Sequence, residues 1–148
     1  MDLSQFNPQR AADAASRVVL TSPFDGEPIK DENGKTMAAH IVGMQSTVAK
    51  NMDAKHRRES PRPDRAVDDM TPDEQQAYLE ELQAFGRKAG AEKLAAMITK
   101  LEGKWESVGR ALKAGDVDAL AELVGAEDWL ADQLIARAKD IEHYQPKM

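Results

Sequence analysis

The chain has no cysteine, and its 148 residues include only two tryptophans, two tyrosines and three phenylalanines. Without cysteine, disulfide cross-links and thiolate zinc sites are excluded. So few aromatic rings leave core burial mainly to Leu, Ile, Val, Met and Ala. No apolar run approaches the roughly 20 residues that a spanning helix needs, and no basic-then-apolar leader opens the chain. The expected site of action is therefore the cytoplasm, with no membrane partner. A basic excess is missing too: 20 Lys and Arg stand against 26 Asp and Glu, a net charge of −6. That balance disfavours nucleic acid as a partner, because phosphate contacts need a basic surface.

Motifs of catalysis are also missing. There is no Gly-rich phosphate loop, no Gly-x-Ser-x-Gly elbow and no zinc-binding His-Glu pair. The three histidines, His40, His56 and His143, fall in different elements at spacings that suit neither metal nor acid–base chemistry. The run Asp31-Glu32-Asn33-Gly34 fails as a calcium loop, since Ile29 and His40 would occupy its first and twelfth positions, where oxygen ligands are required. The carboxylates recur with Lys and Arg on helix faces and read as solvated, salt-bridging surfaces. Lys55, His56, Arg57, Arg58, Arg62 and Arg65 form a basic cluster, but acids at 53, 59 and 64 dilute it and no aromatic is interleaved for base stacking. No catalytic residue, metal ligand or cofactor is assigned.

What the sequence does contain is a dense alternation of turn and element signals. Residues 1–16 read as a flexible tail with Leu3 and Phe6 as its larger apolar side chains. Val18 to Thr21 fits a short strand ended by Ser22-Pro23. Asp25-Gly26 and Asn33-Gly34 mark turns, the second of type I′, so that Ile29 and Met37 to Val42 flank a hairpin. Ser46 caps a helix running to about Arg58, which completes a β-hairpin-plus-helix module over 17–58. Residues 59–70, which take in most of the proline-containing charged stretch from Lys55 to Asp69, form a linker.

A helical domain over 71–148 follows. Thr71-Pro72-Asp73-Glu74 is a capping box with proline at the first helical position. Tyr78, Leu82, Phe85 and Ala89 form one stripe, and Gly86 and Gly90, costing about 1 kcal/mol each relative to Ala, end the helix near Gly90. A second stripe, Leu94, Met97, Ile98, Leu101, Trp105, Val108 and Leu112, reads as another helix. Asp116 caps a short helix stopped by Gly125, and the last helix spans Glu127 to His143 with Leu130, Leu134, Ala138 and Ile141 on one face. Trp105 reads as core. Trp129, one residue off that last face, reads as core first and interface anchor second. A further option is that the helical faces leave an apolar groove for a partner helix. The expected fold is α+β: a small N-terminal β-hairpin or three-stranded element followed by four or five helices.

Two blocks carry a resemblance. The order strand, Pro, Asp25-Gly26-Glu27-Pro28-Ile29, Asn33-Gly34-Lys35, apolar strand, Gly-x-x-Ser46, charged helix and Arg57-Arg58, after the opening MDLSQFNP, resembles the N-terminal part of tail assembly chaperones of long-tailed, non-contractile bacteriophages. The segments Gly115 to Leu120, Asp128 to Leu134 and Asp140 to Tyr144 resemble the close of such proteins. Together they cover about half the chain, and the run from Phe85 to Leu101 matches no pattern of the family. The resemblance implies a binding protein that acts in the host cytoplasm and is absent from the mature virion. Its implied partners are the tape-measure protein, which it keeps soluble, the tail-tube protein and further copies of itself. The candidate partner-binding residues are Trp129, Leu130, Leu134, Ile141 and Tyr144. Other classes remain open: a structural virion protein such as a head–tail connector or minor tail component, a nucleic-acid-binding regulator working through residues 55–65, and an enzyme.

Overall fold

The structure is a computed structural model that describes residue 3 and residues 7–140. Strand β1 (Ser16–Val19) pairs antiparallel with β2 (Ala38–Ile41), with Val18 opposite Ala39. Between them the chain folds back twice. Leu20 donates its N–H to the Met37 carbonyl and Met37 donates to that of Ile29, while single bridges join Thr21 to Pro28 and Lys30 to Thr36.

The turn at Asn33-Gly34 is present but is not type I′. Among the described residues Val108 is the only non-glycine with positive φ, so Gly34, at φ 78°, is left-handed alone. The cause is Asp31. Its Oδ1 accepts from the N–H groups of Asn33 and Lys35, both at 2.9 Å, and its carbonyl accepts from Gly34 N–H. This closure favours a type I turn followed by a left-handed glycine. Oδ2 accepts from Lys104 N–H at 3.0 Å, tying the turn to a distant loop. These bonds, that of Lys35 foremost, hold the Asp31 carboxyl below its ordinary range.

The third strand comes from where the second helical stripe was expected. β3 (Ile98–Glu102) pairs antiparallel with β2, giving the order β1-β2-β3 with a bulge at His40/Ile41. A short hairpin follows, β4 (Glu106–Ser107) and β5 (Arg110–Ala111). The stripe's helical spacing is real, but Ile98 and Thr99 are β-branched and β2 offers an unpaired edge that strand pairing satisfies. Gly103 then fixes the turn. At φ 87° it takes a conformation L-residues rarely adopt, and an added Cβ would lie 2.5 Å from Met37 Sδ. Trp105 is core as expected, at 4% exposure, but in a loop, with its indole N–H donated to the Glu102 carbonyl at 3.0 Å.

Five α-helices lie among the described residues. In the expected tail, α1 (Pro8–Asp13) buries Ala12, and Asp13 accepts from the Thr47 N–H at 2.6 Å and the Thr47 hydroxyl at 2.9 Å. Helix α2 (Thr47–Glu59) is capped by Ser46, as its sequence signal indicates. The linker contains a 3-10 turn, Val67–Asp69, and is tethered to the next helix. Gln75 donates to the carbonyls of Val67 and Met70, Tyr78 to that of Pro61, and Arg65 pairs with Glu74.

Helix α3 (Pro72–Met97) starts on the Thr71–Glu74 capping box and runs straight through Gly86 and Gly90. The expected end near Gly90 fails because its last turns, with Leu94, Ala95 and Met97, are buried in the core, and packing outweighs glycine's weak helix propensity. Helix α4 (Val117–Ala126), capped by Asp116, passes Gly125 by one residue. Helix α5 is Asp128–Lys139, shorter than the expected Glu127 to His143; Ile141, His143 and Tyr144 lie outside the described residues.

The expected division into a 17–58 module and a 71–148 helical domain runs across one sheet and one core. Val18, Ile41, Ala49, Met97, Leu120 and Leu134 belong to the same buried cluster. The fold is α+β, small β-strands with a mainly helical body, as the sequence indicated.

Candidate functional site

Three helices leave a groove open to solvent. Its volume is about 730 Å³, and it is lined by α3, α4 and α5. Leu94 and Val124, both nearly fully buried, lie deepest, with Ala91, Ala121, Ala131 and Ile135 half-buried along it. Side chains this short create the space. The α3 side presents Gly86 and Gly90, four residues apart and therefore on one helical face. A Cβ built on either would meet nothing within 4 Å. Gly125 differs, since its Cβ would touch Ala91 Cβ at 3.7 Å where α4 approaches α3.

Charged residues of both signs surround it. Arg87, Lys88 and Glu92 line the groove from α3, while Asp118 and Glu122 on α4 and Asp128 on α5 line it from the other side. A ligand complementary to this site is apolar along its length with charges of both signs flanking, the profile of an amphipathic helix. Sequence reasoning treated Gly86 and Gly90 only as helix breakers. Their four-residue spacing was the available signal, legible once the helix is known to continue through them.

The predicted partner residues are placed differently. Leu130 and Leu134 are 2% and 0% exposed, so both are core of this chain and are withdrawn from the proposed surface. They face inward because α5 packs on the sheet. Gln133 holds it there, accepting from Thr21 N–H at 2.9 Å and donating to the Thr21 carbonyl at 2.7 Å as a neighbouring strand would, and Arg137 donates to the Arg17 carbonyl at 2.9 Å. Trp129 is half-buried against the core and donates its indole N–H to Glu127 at 3.1 Å. Ile141 and Tyr144 lie outside the described residues.

The histidines that are described each meet a glutamate. Glu102 Oε2 binds both Arg17 Nε and His40 Nε2 at 2.6 Å, linking all three strands on one sheet face. The Arg17 hydrogen bond foremost, then that of His40, draws the Glu102 carboxyl down to about 2. His56 lies between α2 and α3, with Nε2 3.2 Å from Glu92 and its ring edge-to-face with Phe85 at 6.2 Å. Lys93 pairs with Asp53 across the same helices at 2.9 Å. Both arrangements join elements of the fold. Among the described residues no group of three or more acidic or histidine side chains is placed to hold a metal ion, and no helix is long and apolar enough to cross a membrane.

No family model matches the chain, and no curated protein or solved structure matches it either.

Proposed function

We propose that the chain is a binding protein without catalysis, a tail assembly chaperone of a long-tailed, non-contractile bacteriophage. In this reading it takes apolar helical segments of the tape-measure protein into the groove between α3, α4 and α5. It keeps them soluble in the infected host's cytoplasm and helps recruit tail-tube subunits, and it is absent from the mature virion. The observation that carries the reading is the pair Gly86 and Gly90. Each weakens α3 by about 1 kcal/mol relative to alanine, yet no neighbour among the described residues needs the missing Cβ. Removing both side chains lets a partner helix approach the α3 backbone, the use that small residues have at close helix crossings. The resemblance of residues 18–46 and 115–144 to the chaperone family supplies the identity of that helix. Many copies along an extended partner, each binding modestly, fit an open groove better than a deep pocket.

The test is co-expression with the tape-measure protein of the same genome, or a helical fragment of it, followed by co-purification and light scattering. The expected result is a soluble fragment carrying several copies of this chain. An insoluble fragment, with this chain eluting alone, overturns the reading; mass spectrometry of purified particles would then test the alternative, a structural virion protein.

A further inference from the structure

The sheet has two edges, and they are treated differently. The β1 edge is sealed by α5 through Gln133 and Arg137. Among the described residues the β3 edge has no further strand beyond it. Just past β2, Val42 donates its N–H to the Met97 carbonyl, so the even-numbered residues Ala38 and His40 turn their backbone groups toward Glu102 and Lys100. Leu101, between those two, points its N–H and C=O away from the sheet. A buried or paired edge would satisfy them; here they are available to an incoming strand.

We infer that this edge pairs with the same edge of a second copy, β3 antiparallel to β3 about a two-fold axis at Leu101, joining two three-stranded sheets into one. The sequence of the strand selects this occupant and register. With Leu101 opposite its own counterpart, the two outward N–H and C=O groups exchange hydrogen bonds, and each Lys100 falls opposite Glu102 of the other copy. Those are non-hydrogen-bonded positions, where cross-strand side chains come closest. Exposed edges usually carry charges that repel an incoming strand. Here two opposite charges stand two residues apart, so an antiparallel copy satisfies both while a parallel one in register opposes like charges. Lys100 is exposed and joins none of the ion pairs among the described residues. Glu102 binds Arg17 and His40 through Oε2, and none of the ion pairs among the described residues uses its Oε1. Half-buried Leu101 meets its counterpart on the opposite face.

The experiment uses the full chain. Sedimentation equilibrium across a concentration series is expected to give a monomer–dimer equilibrium, weakened at least tenfold by Lys100→Glu, which places glutamate opposite glutamate. Because the chain lacks cysteine, Leu101→Cys provides a second readout. Opposed bonded residues sit about 5.5 Å apart between Cα atoms, within disulfide reach, so this variant is expected to oxidise to a covalent dimer. Lys113→Cys, on another surface, serves as the control. A wild-type chain that stays monomeric throughout overturns the inference. So does a dimer that Lys100→Glu leaves intact and Leu101→Cys does not cross-link.

Discussion

Replacing Gly86 and Gly90 by alanine should make the free protein more stable. Both lie inside α3, a helix of 26 residues, where alanine is favoured over glycine by about 1 kcal/mol because it loses less backbone entropy on folding. Steric cost is the opposing term, and the structure removes it: an added Cβ at either position has nothing within 4 Å. The double variant should therefore gain roughly 2 kcal/mol, which for a chain of this size raises the melting temperature by about 4–8 °C. Urea titrations followed by circular dichroism would read the change as a higher midpoint at unchanged slope. A midpoint that falls or stays in place would refute the reasoning, because it would mean that the groove is filled in solution or that α3 does not run through these glycines. The sign is informative on its own, since most substitutions in a folded chain destabilise it.

Three further outcomes follow from particular contacts. Val108 sits at the β4–β5 turn with φ 51° and its side chain fully exposed, so Val108→Asn should stabilise the chain by about 1 kcal/mol through relief of left-handed strain without loss of packing; an unchanged urea midpoint would contradict that turn. Glu102 has its folded-state carboxyl at about 2, so its contribution is full above the ordinary glutamate range near pH 4.3 and is lost as pH falls from there toward 2. Glu102→Gln should accordingly flatten the acid limb of stability against pH, and an acid limb identical to that of the native chain would show that the Arg17–Glu102–His40 contact is not formed. Leu134→Ala, at a fully buried site, should cost about 2–5 kcal/mol in urea unfolding, while Trp129→Ala should cost less because Trp129 is only half-buried; the reverse order would place α5 differently on the sheet.

The parts of the fold that were legible from sequence are those decided locally. Ser46, Thr71 with Glu74, and Asp116 each accept the backbone N–H that a helix start leaves unpaired, and their helices begin where those residues stand. What could not be read depends on distant partners. The apolar spacing from Leu94 to Leu112 satisfies a helix, and only the free edge of β2, more than fifty residues earlier, turns Ile98–Glu102 into a strand. Val108-Gly109 forms the doubly left-handed turn, with φ 51° and 76°, that the Asn33-Gly34 signal advertised, because Asp31 closes the latter in another way. At the candidate site, the last helix was correctly seen to have an apolar face, but Leu130 and Leu134 pack inward, and periodicity does not distinguish a face that meets its own core from one that meets a partner. The groove itself depends on how three helices separate, which single-helix patterns do not encode.

The central claim is that the α3–α4–α5 groove receives an apolar helix, and the most direct measurement is calorimetric titration of a soluble amphipathic segment of the tape-measure protein into the native chain and into the Gly86→Ala/Gly90→Ala variant. The account predicts measurable binding to the native chain and an affinity at least about fivefold lower for the variant, since two methyl groups placed where the partner's backbone approaches would overpack the contact by about 1–3 kcal/mol. Equal affinity for both proteins, alongside the higher stability of the variant, would contradict it.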